Sequence, residues 1–569
     1  MSTVDTPVLV VGGGPVGACL AMDLAWRGTP CMLVEQRQER IDHPKATLLG
    51  SRSMEQLRRW NLEDDIYRNC LPNDQRYRIS FVTGMNGHEL LKFESPSINE
   101  VRSRSPELVS RWPELAWSPY GKTQIGQQAL EPILFEKARR MPGLEILEGW
   151  RLAGFTQDRD GVVSQIEHVS TGEVRQVRSR YMVGCDGGSS LVRRALGIRF
   201  GGRGAIRPNV TFQFRSAEFS RSHPLDPGNL YYILLPDTFG VFMAIDGKER
   251  WGYQYYFLDP AQKTENPDVH AILHRAVGKP FEFELLNVTH WQHHQSVAEH
   301  YRGGRVFLAG DSAHLFSPTG GVGMNTGIND AFDLSWKLHA ALAGWGGEWL
   351  LQSYEHERRP VAIRNTQRAA ANSDKNDMVM AEVTPELIGA TPRGELLRAD
   401  LAQKLSWVAA QYESAGVHLG YRYQKSNICC WEAGVEPPDD YRYVVNSTYP
   451  GFRAPHVWMR DGRSTLDLFG RDFVLMCFDG KEKACTDFID AFRQRGVPLV
   501  VQPVDDDAVR RAYEVELVLV RPDGHVAWRG SAPPDDPIGV VERVRGAQRP
   551  RFVPEWAQPD DLASIALRT

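Results

Sequence analysis

The chain has 569 residues, of which 42% are hydrophobic and 24% are charged, and its formal net charge is −5. Because single hydrophobic cores stop growing near about 250–300 residues, two or three domains are expected. The 66 Lys and Arg residues are outnumbered by 71 Asp and Glu residues, so no excess of positive charge favours a nucleic-acid partner. This composition is typical of a soluble globular protein.

The N-terminus and the cysteines indicate where the protein works. Residues 1–5 lack the basic head and the apolar core of a signal peptide. The apolar runs fall short of the ~20 residues needed to cross a bilayer. We therefore expect a cytoplasmic protein with no membrane span. The eight cysteines form no Cys-x-x-Cys pair and show no zinc-like spacing, which predicts reduced thiols and no metal site.

A glycine fingerprint lies between a predicted strand at residues 8–11 and a predicted helix that ends at Gly28. The fingerprint consists of Gly12, Gly14 and Gly17, with Pro15 and Val16 at the start of the helix. In such a loop the first glycine permits the tight turn and the second lets a pyrophosphate approach the backbone. The third lets the helix pack on the strand. The pattern predicts a dinucleotide site at the N-terminus of this helix.

A second strand at residues 31–34 completes a β-α-β unit and ends in Glu35 and Gln36. Glu35 lies 18 residues after Gly17, where a carboxylate can accept hydrogen bonds from an adenosine ribose. FAD or NAD fits this arrangement better than NADP. The fingerprint alone does not separate FAD from NAD, because both share the adenosine diphosphate half.

A distant segment decides between these two cofactors. Residues 305–309 are predicted to form an apolar strand, with Gly310 and Asp311 at its carboxyl end. Ligands bind at this end of the strands in open α/β sheets. Asp311 could hold the hydroxyls of a ribityl chain. The glycine-rich loop that follows would turn N–H groups toward a flavin, and its candidate residues are Pro318, Gly321, Gly323, Met324 and Asn325. These features together predict FAD.

The remaining patterns predict an α/β fold with a discontinuous Rossmann-like domain. Residues 95–112 are rich in Ser, Arg, Pro and Glu, which predicts an exposed loop. Aromatic-rich alternation over residues 210–257 predicts an inserted sheet domain, and the 3.6-residue period from Ile328 predicts a helix on the first domain. We assign residues 1–78, 112–205 and 285–400 to the FAD-binding domain, 79–111 and 206–284 to the substrate-binding sheet, and 401–569 to a linker and a small α/β appendage.

A third motif, residues 185–190 (Cys-Asp-Gly-Gly-Ser-Ser) with Arg193, resembles the middle motif of the class A flavoprotein aromatic hydroxylases, the family of p-hydroxybenzoate hydroxylase and phenol hydroxylase. The resemblance implies that Asp186 serves flavin and nicotinamide binding, that Arg52 meets the FAD phosphates and that Gln127 contacts the flavin. Lys45 stands where many relatives have Arg; since Lys cannot make the bidentate fork of Arg, it is given no role. NADPH or NADH would be the transiently bound co-substrate.

Three further segments resemble 2,4-dichlorophenol 6-monooxygenase and 3-(3-hydroxyphenyl)propionate hydroxylase within that family. They are residues 351–360, 416–423 and 450–456. In that branch the C-terminal appendage is thioredoxin-like. Cys477 and Cys485 are not spaced as a redox pair, so the appendage is expected to be structural or to serve the contacts of a homo-oligomer.

The resemblance implies hydroxylation of a phenolic or pyridinol ring with dioxygen, in catabolism or in natural-product tailoring. Pro318 and its loop would shape the oxygen pocket. A group must accept the phenol proton. Tyr232, Tyr253 and His293 are the main candidates, and Tyr231, Tyr255 and His294 are further ones. Each could instead be a packing residue. The alternatives are a redox-silent FAD protein that sequesters an aromatic compound and a flavin-dependent halogenase, which is disfavoured because no Trp-x-Trp-x-Ile-Pro segment is present.

Overall fold

The computed structural model describes residues 3–257, 266–432, 434 and 436–549. Over these residues the strands are β1 (Thr3–Val11), β2 (Cys31–Glu35), β3 (Leu48–Leu49), β4 (Tyr77–Val82), β5 (Glu89–Ser95), β6 (Thr123–Gln124), β7 (Leu144–Glu148), β8 (Trp150–Gln157), β9 (Val162–His168), β10 (Val174–Gly184), β11 (Phe200–Arg215), β12 (Leu230–Leu234), β13 (Phe239–Ala244), β14 (Arg250–Tyr256), β15 (Glu284–Ala298), β16 (Arg302–Gly303), β17 (Val306–Leu308), β18 (His314–Leu315), β19 (Phe473–Cys477), β20 (Leu499–Pro503), β21 (Leu517–Val520) and β22 (Val526–Gly530).

The helices over the same residues are α1 (Pro15–Arg27), α2 (Ser51–Leu57), α3 (Glu63–Asn69), α4 (Ile98–Ser103), α5 (Pro106–Arg111), α6 (Gln127–Arg139), α7 (Leu191–Ala195), α8 (Val269–Val277), α9 (Gly323–Leu342), α10 (Ser353–Met380), α11 (Pro392–Ala409), α12 (Ala415–His418), α13 (Thr486–Gln494), α14 (Asp507–Tyr513) and α15 (Pro537–Val544). None of the helices in the described ranges has both the length and the apolar character that a bilayer crossing requires.

The first sheet has the order β16-β17-β10-β1-β2-β7, in which β17, β10, β1, β2 and β7 run parallel. Residues 8–10 are fully buried, as expected for a parallel strand covered on both faces. Helix α1 packs against α6 and α9, so the predicted helix after Ile328 does lie on this domain. The carboxyl ends of β1, β2, β10 and β17 meet at one edge, which builds the Rossmann-like part of the fold.

The second sheet has the order β18-β15-β11-β14-β13-β12-β4-β5 and is antiparallel except between β4 and β12. It extends beyond the ranges predicted for it. β11 pairs with β15 along its whole length, from Phe200 opposite Ala298 to Arg215 opposite Glu284. The sheet therefore continues on both sides of residues 206–284. β15 contains many polar residues, which include Asn287, Thr289 and Gln292, so its sequence lacks the apolar alternation that predicts a strand.

The two faces of this second sheet have different neighbours. One face carries apolar side chains such as Phe212, Phe242 and Tyr253, which pack with Leu273 and Val277 of α8. The other face carries the alternate residues of the same strands and looks into a large cavity. The alternation therefore separates a hydrophobic core from a binding surface within one sheet.

The segment 95–112, predicted as an exposed loop, instead contains α4 and α5. Ser97 Oγ accepts a hydrogen bond from the Glu100 backbone N–H at 3.2 Å, and Glu100 Oε2 accepts one from the Ser97 N–H at 2.9 Å. This capping box satisfies the first N–H groups of α4. The loop prediction was wrong because it weighed composition and missed the Ser-x-x-Glu signal.

The C-terminal sheet has the order β20-β19-β21-β22. With α13, α14 and α15 it forms the thioredoxin-like domain predicted from the resemblance. Its core is continuous with Trp336 of α9. All eight cysteines are free thiols.

A fully buried charge network joins this domain to the first one. The guanidinium of Arg521 contacts Glu357 at 2.5 Å and Asp333 at 3.2 Å, and Lys337 Nζ contacts both carboxylates at 2.5 and 2.7 Å. Mutual pairing is what makes burial of these charges tolerable.

Candidate active site

A cavity of about 1200 Å³ connects the carboxyl edge of the first sheet with the open face of the second sheet. We call the part lined by residues from the first domain the dinucleotide lobe; these residues include Gly12, Gly14, Pro15, Val16, Glu35, Gln36, Arg37, Lys45, Gln127, Asp186 and Asp311. We call the other part the sheet lobe, which is lined by Tyr77, Lys122, Gln124, Thr211, Gln213, Leu230, Tyr232, Val241, Met243, Gln254, Tyr256, Thr289, Trp291, Gln292, His294, Tyr412 and Ser414. Residues 315–324 also line the cavity.

The three fingerprint glycines have separate steric reasons to lack a side chain. Gly12 has φ +103°, and a Cβ there would overlap the carbonyl of Cys185. Gly17 lies behind the cavity wall, where a Cβ would overlap the carbonyl oxygen of Gly12. A Cβ at Gly14 would meet no atom within 4 Å, so this glycine keeps space open in front of α1. Backbone N–H groups at this helix N-terminus are suited to a phosphate.

Glu35 is fixed at the end of β2 by its own neighbours. Its Oε2 accepts a hydrogen bond from the Gly13 N–H at 2.6 Å, and its Oε1 accepts one from the Arg37 backbone N–H at 2.8 Å. Burial opposes the charge, but the bonds from Arg37 and Gly13 and the charge of Arg37 outweigh it and lower the pKa of Glu35. The carboxylate is therefore ionised and positioned at neutral pH.

Two aspartates from other strands reach the same lobe. Asp186 Oδ2 accepts a hydrogen bond from the Val192 N–H at 3.1 Å, while its buried Oδ1 has no protein partner among the described residues. Asp311 follows β17 and opens onto the cavity. The surrounding protein raises the pKa of Asp311, although the nearby charges of His314 and Lys45 oppose that shift. Both side chains can accept hydrogen bonds from a ligand.

The glycine-rich loop is positioned by the side chain of Asn325, which does not line the cavity. Asn325 Oδ1 accepts hydrogen bonds from the Gly50 N–H and from Ser53 Oγ, both at 2.7 Å. Its Nδ2 donates to the carbonyls of Leu48 at 2.9 Å and Gly321 at 2.8 Å. The Asn325 amide therefore positions the loop, while the predicted residues Pro318, Gly321, Gly323 and Met324 line the cavity. Gly310 lies behind them against Val16.

The structure does not bring Arg52 to the cavity. Its Nη1 donates to Glu55 Oε2 at 3.0 Å and its Nη2 donates to the carbonyl of Asp523 at 2.6 Å. Arg52 thus ties α2 to the C-terminal domain. Its sequence position matches the family motif, but its side chain points away from the fingerprint. Lys45, which received no role, does line the cavity, as does Gln127, whose Nε2 donates to Glu131 at 2.7 Å.

Among the candidates from the sheet domain, Tyr232 lines the cavity. Its hydroxyl accepts a hydrogen bond from the hydroxyl of Tyr412 at 2.5 Å. Burial raises the pKa of Tyr232, and the bond from Tyr412 opposes this only in part. The phenol is therefore neutral at physiological pH.

Tyr253 lies on the opposite face and cannot reach the cavity. It is fully buried beside Phe212 and Phe242, so its assignment as a catalytic candidate is wrong. The reason is strand alternation: Gln254 and Tyr256 of the same strand line the cavity instead. Tyr231 and Tyr255 also pack on the core face.

His293 lies one layer behind the cavity wall. Its Nδ1 is 3.1 Å from Ser317 Oγ, which is 2.8 Å from Thr319 Oγ1, and both hydroxyl residues line the cavity. Burial and the charges of Arg207 and His294 lower the pKa of His293 to about 3. The imidazole is neutral at physiological pH and connects to the cavity through Ser317.

Sequence reasoning missed several lining groups of the sheet lobe. Gln213 and Gln254 lie on alternate positions of β11 and β14, so their strand alternation could have placed them there. Lys122 and Tyr412 come from outside the sheet and carry no local signal. Their positions depend on long-range packing.

The residues present fit FAD. The open space beside Gly14 gives room for an extended polar ligand. Two hydrogen-bond acceptors are available to it: Oδ1 of Asp186, which has no partner among the described residues, and the cavity-facing carboxylate of Asp311. The positive end of α9 begins at Gly323 beside the same cavity, where it favours negative charge on a ligand.

Comparisons with known proteins agree with this site. The FAD binding domain family matches residues 5–369, and the C-terminal domain of aromatic-ring hydroxylases matches residues 447–547. The chain therefore belongs to the FAD-dependent aromatic-ring hydroxylases. This confirms the family, the FAD cofactor and the class of activity predicted from the sequence.

Individual relatives span nearly the whole chain. The tetracenomycin A2 monooxygenase-dioxygenase of Streptomyces glaucescens is 33% identical, covering 96% of this chain and 97% of that protein. The 2,4-dichlorophenol 6-monooxygenase of Cupriavidus pinatubonensis is 29% identical, covering 96% and 98%. The solved structure of the rebeccamycin biosynthetic enzyme RebC with reduced flavin is 36% identical with a TM-score of 0.87, covering 96% of this chain and 100% of that one.

Proposed function

We propose that the protein hydroxylates a phenolic or related aromatic ring held in the sheet lobe, beside FAD held in the dinucleotide lobe. The observation that carries this proposal is that both lobes belong to one cavity of about 1200 Å³. Single ligand pockets usually measure about 300–1000 Å³, so this volume suits a cofactor and a ring side by side.

On the cofactor side, the N–H groups around Gly14 would hold the pyrophosphate and Glu35 the adenosine ribose. Asp311 would hold the ribityl chain, Asp186 and Gln127 would contact the flavin, and residues 321–324 would present N–H groups to it. When bound, FAD supplies hydride uptake from NAD(P)H and the activation of dioxygen. Pro318 and its loop would shape the oxygen pocket.

On the substrate side, Tyr232 acts as a hydrogen-bond donor. Because its oxygen already accepts a hydrogen bond from Tyr412, its own proton is free to point at a substrate oxygen. Its raised pKa keeps it protonated at neutral pH, so it cannot act as the base. The Ser317 hydroxyl can donate to Nδ1 of neutral His293, which leaves its oxygen free to accept a hydrogen bond from the substrate hydroxyl. The two groups therefore have complementary tasks: Tyr232 donates a hydrogen bond to the substrate and Ser317 accepts one.

The test is NAD(P)H oxidation and oxygen uptake by the FAD-loaded protein with a panel of mono- and polycyclic phenols. We expect stimulated consumption of both co-substrates and a product heavier than the substrate by one oxygen atom. Binding of phenols with no stimulated consumption would instead identify a redox-silent FAD protein. Running NADH and NADPH in parallel assigns the co-substrate.

We further propose a cytoplasmic homo-oligomer. Met378, Leu396 and Trp407 on α10 and α11 are 61%, 73% and 52% exposed, and exposed apolar groups of this kind support a subunit contact. Light scattering of the purified protein tests the proposal: a monomer at micromolar concentration contradicts it, and W407E should shift an oligomer toward monomer.

A further inference from the structure

Lys122 places an ammonium group in the wall of the sheet lobe. It immediately precedes β6, is half-buried, and donates a hydrogen bond from Nζ to the carbonyl oxygen of Tyr412. Nζ lies 5.8 Å from the centroid of the Tyr77 ring. Among the described residues that line this lobe, Lys122 is the one Lys, Arg, Asp or Glu. The rest of this wall consists of amide, hydroxyl, aromatic and aliphatic side chains and the imidazole of His294.

No protein carboxylate pairs with this ammonium group among the described residues. The acidic groups that act on its charge are Glu114 and Glu413, and Glu413 forms its ion pair with Arg442. The nearby imidazole of His418 contributes no charge, because burial and Lys122 lower the pKa of His418 to about 3. Among the described residues, neither carboxylate forms an ion pair with Lys122, so its ammonium group has no anionic contact partner.

An ammonium group has three donors, and the Tyr412 carbonyl occupies one of them. Enclosing a charge without a partner is unfavourable, and burial lowers the pKa of Lys122 to about 8 despite the opposing charges of Glu114 and Glu413. A ligand anion would restore the missing pairing and add a charge-assisted hydrogen bond. The site is therefore short of one negatively charged acceptor.

We propose that the aromatic substrate carries an anionic oxygen, a ring carboxylate or an acidic phenolate, that binds Lys122 Nζ. This inference rests on the proposed function, because it assigns the sheet lobe to the substrate. The dinucleotide lobe has cations of its own in Arg37 and Lys45, whereas Lys122 lies with Tyr77 and Tyr412 on the substrate side. Lys122 then selects the orientation of the ring as well as its class.

The alternative role for Lys122 is structural, as a donor to the Tyr412 carbonyl. Three variants separate the two roles. K122Q keeps an N–H donor and loses the charge, K122R keeps the charge, and K248Q changes an exposed lysine outside the cavity. A structural role would make K122Q alter all ligands alike, whereas charge recognition would make it alter anions alone.

The experiment is calorimetric titration of the oxidised, FAD-loaded protein without NAD(P)H. The ligands are two matched pairs: 2-naphthoic acid with 2-naphthamide, and 4-nitro-1-naphthol with its methyl ether. We expect the wild type and K248Q to bind the anion of at least one pair about tenfold or more tighter than its neutral partner, the usual size for a hydrogen bond to a charged group. K122Q should lose that preference and keep its affinity for the neutral ligands within about twofold, and K122R should retain the preference. The pair that responds distinguishes a carboxylate from a phenolate.

A wild type without preference for either anion, or a K122Q protein that keeps the preference, overturns the inference. If K122Q does not fold, the wild type alone still decides. Its preference for naphthoate should fall between about pH 7 and about pH 9 as Lys122 loses its proton, while the carboxylate stays ionised. Other titratable groups also face Lys122, namely Glu114, Glu413, His418, Tyr77 and Tyr412. K122R, which keeps its charge over this pH range, is the reference for their effects. A wild-type preference that does not change with pH contradicts the inference. Because binding is measured without turnover, anion binding with no hydroxylation would refute the proposed function alone.

Discussion

The hydroxyl of Tyr412 donates a hydrogen bond to the hydroxyl of Tyr232 across 2.5 Å. Tyr232 belongs to strand β12, and Tyr412 belongs to the segment after α11, far away in the chain. The bond joins two lining residues of the sheet lobe and leaves the Tyr232 proton free to donate elsewhere. Its first consequence concerns turnover.

Y232F removes the donor that we assign to the substrate oxygen and leaves the ring in place. We expect kcat/KM to fall by about tenfold or more, with FAD content unchanged. Steady-state NAD(P)H oxidation and the flavin-to-protein absorbance ratio measure the two quantities. Y412F serves as the matched variant: it leaves Tyr232 its own proton but removes the bond that orients it, so a smaller loss is expected. Unchanged kinetics in Y232F would rule out this role.

Y253F should leave turnover unchanged, because Tyr253 packs on the core face of the same sheet. Its buried hydroxyl has no partner among the described residues, so removing it costs no hydrogen bond. We expect the free energy of unfolding to stay within about 1 kcal/mol of the wild-type value or to rise. Urea unfolding followed by fluorescence tests this. A large loss of activity in Y253F but not in Y232F would reverse the assignment of the two faces.

G14V and G17A should separate cofactor binding from folding. The space beside Gly14 is open, so a valine there would occupy the cavity and lower FAD affinity by about tenfold or more, with the melting temperature of the FAD-free protein unchanged. An alanine at position 17 would overlap the backbone of Gly12 and should destabilise the protein by about 1–3 kcal/mol. FAD titration and thermal unfolding of the stripped protein measure both effects. Equal stability losses in the two variants would contradict this division.

R521M should loosen the C-terminal domain. It leaves Glu357 and Asp333 buried with Lys337 as their remaining cation, and breaking a buried pair in this way costs about 3–5 kcal/mol. Denaturant unfolding with hydrogen exchange of the C-terminal domain provides the measurement. R493Q, which removes an exposed pair with Asp490, is the control and should change stability by less than about 1 kcal/mol. Similar effects from both substitutions would show that burial of the network is unimportant.

The dinucleotide half of the site could be predicted because its residues lie in short, regular segments. Gly12, Gly14 and Glu35 fall within one β-α-β unit, and Asp311 follows an apolar strand, so sequence spacing gives their relative positions. Most of the residues predicted to bind the cofactor line the cavity. Four predicted residues do not line it: Gly17, Gly310 and Asn325 lie behind the wall, and Arg52 lies at the interface with the C-terminal domain.

The substrate half could be predicted only as far as the sheet itself. Tyrosines on β12 and β14 are alike in sequence, and only the pairing of strands decides that Tyr232 and not Tyr253 faces the cavity. Lys122 and Tyr412 reach the lobe from segments with no periodic pattern. Side chains placed by tertiary packing leave no local trace, which is why the ring-binding groups were missed.

The two-faced second sheet has a consequence for how substrate range can change. Thr211, Gln213 and Gln254 alternate with the core residues of their strands, so they can be randomised together without altering the hydrophobic packing. A combinatorial library at these three positions should therefore yield a high fraction of folded, FAD-containing members with altered ring preference. The same fold can in this way be diverted to new aromatic compounds at little cost in stability.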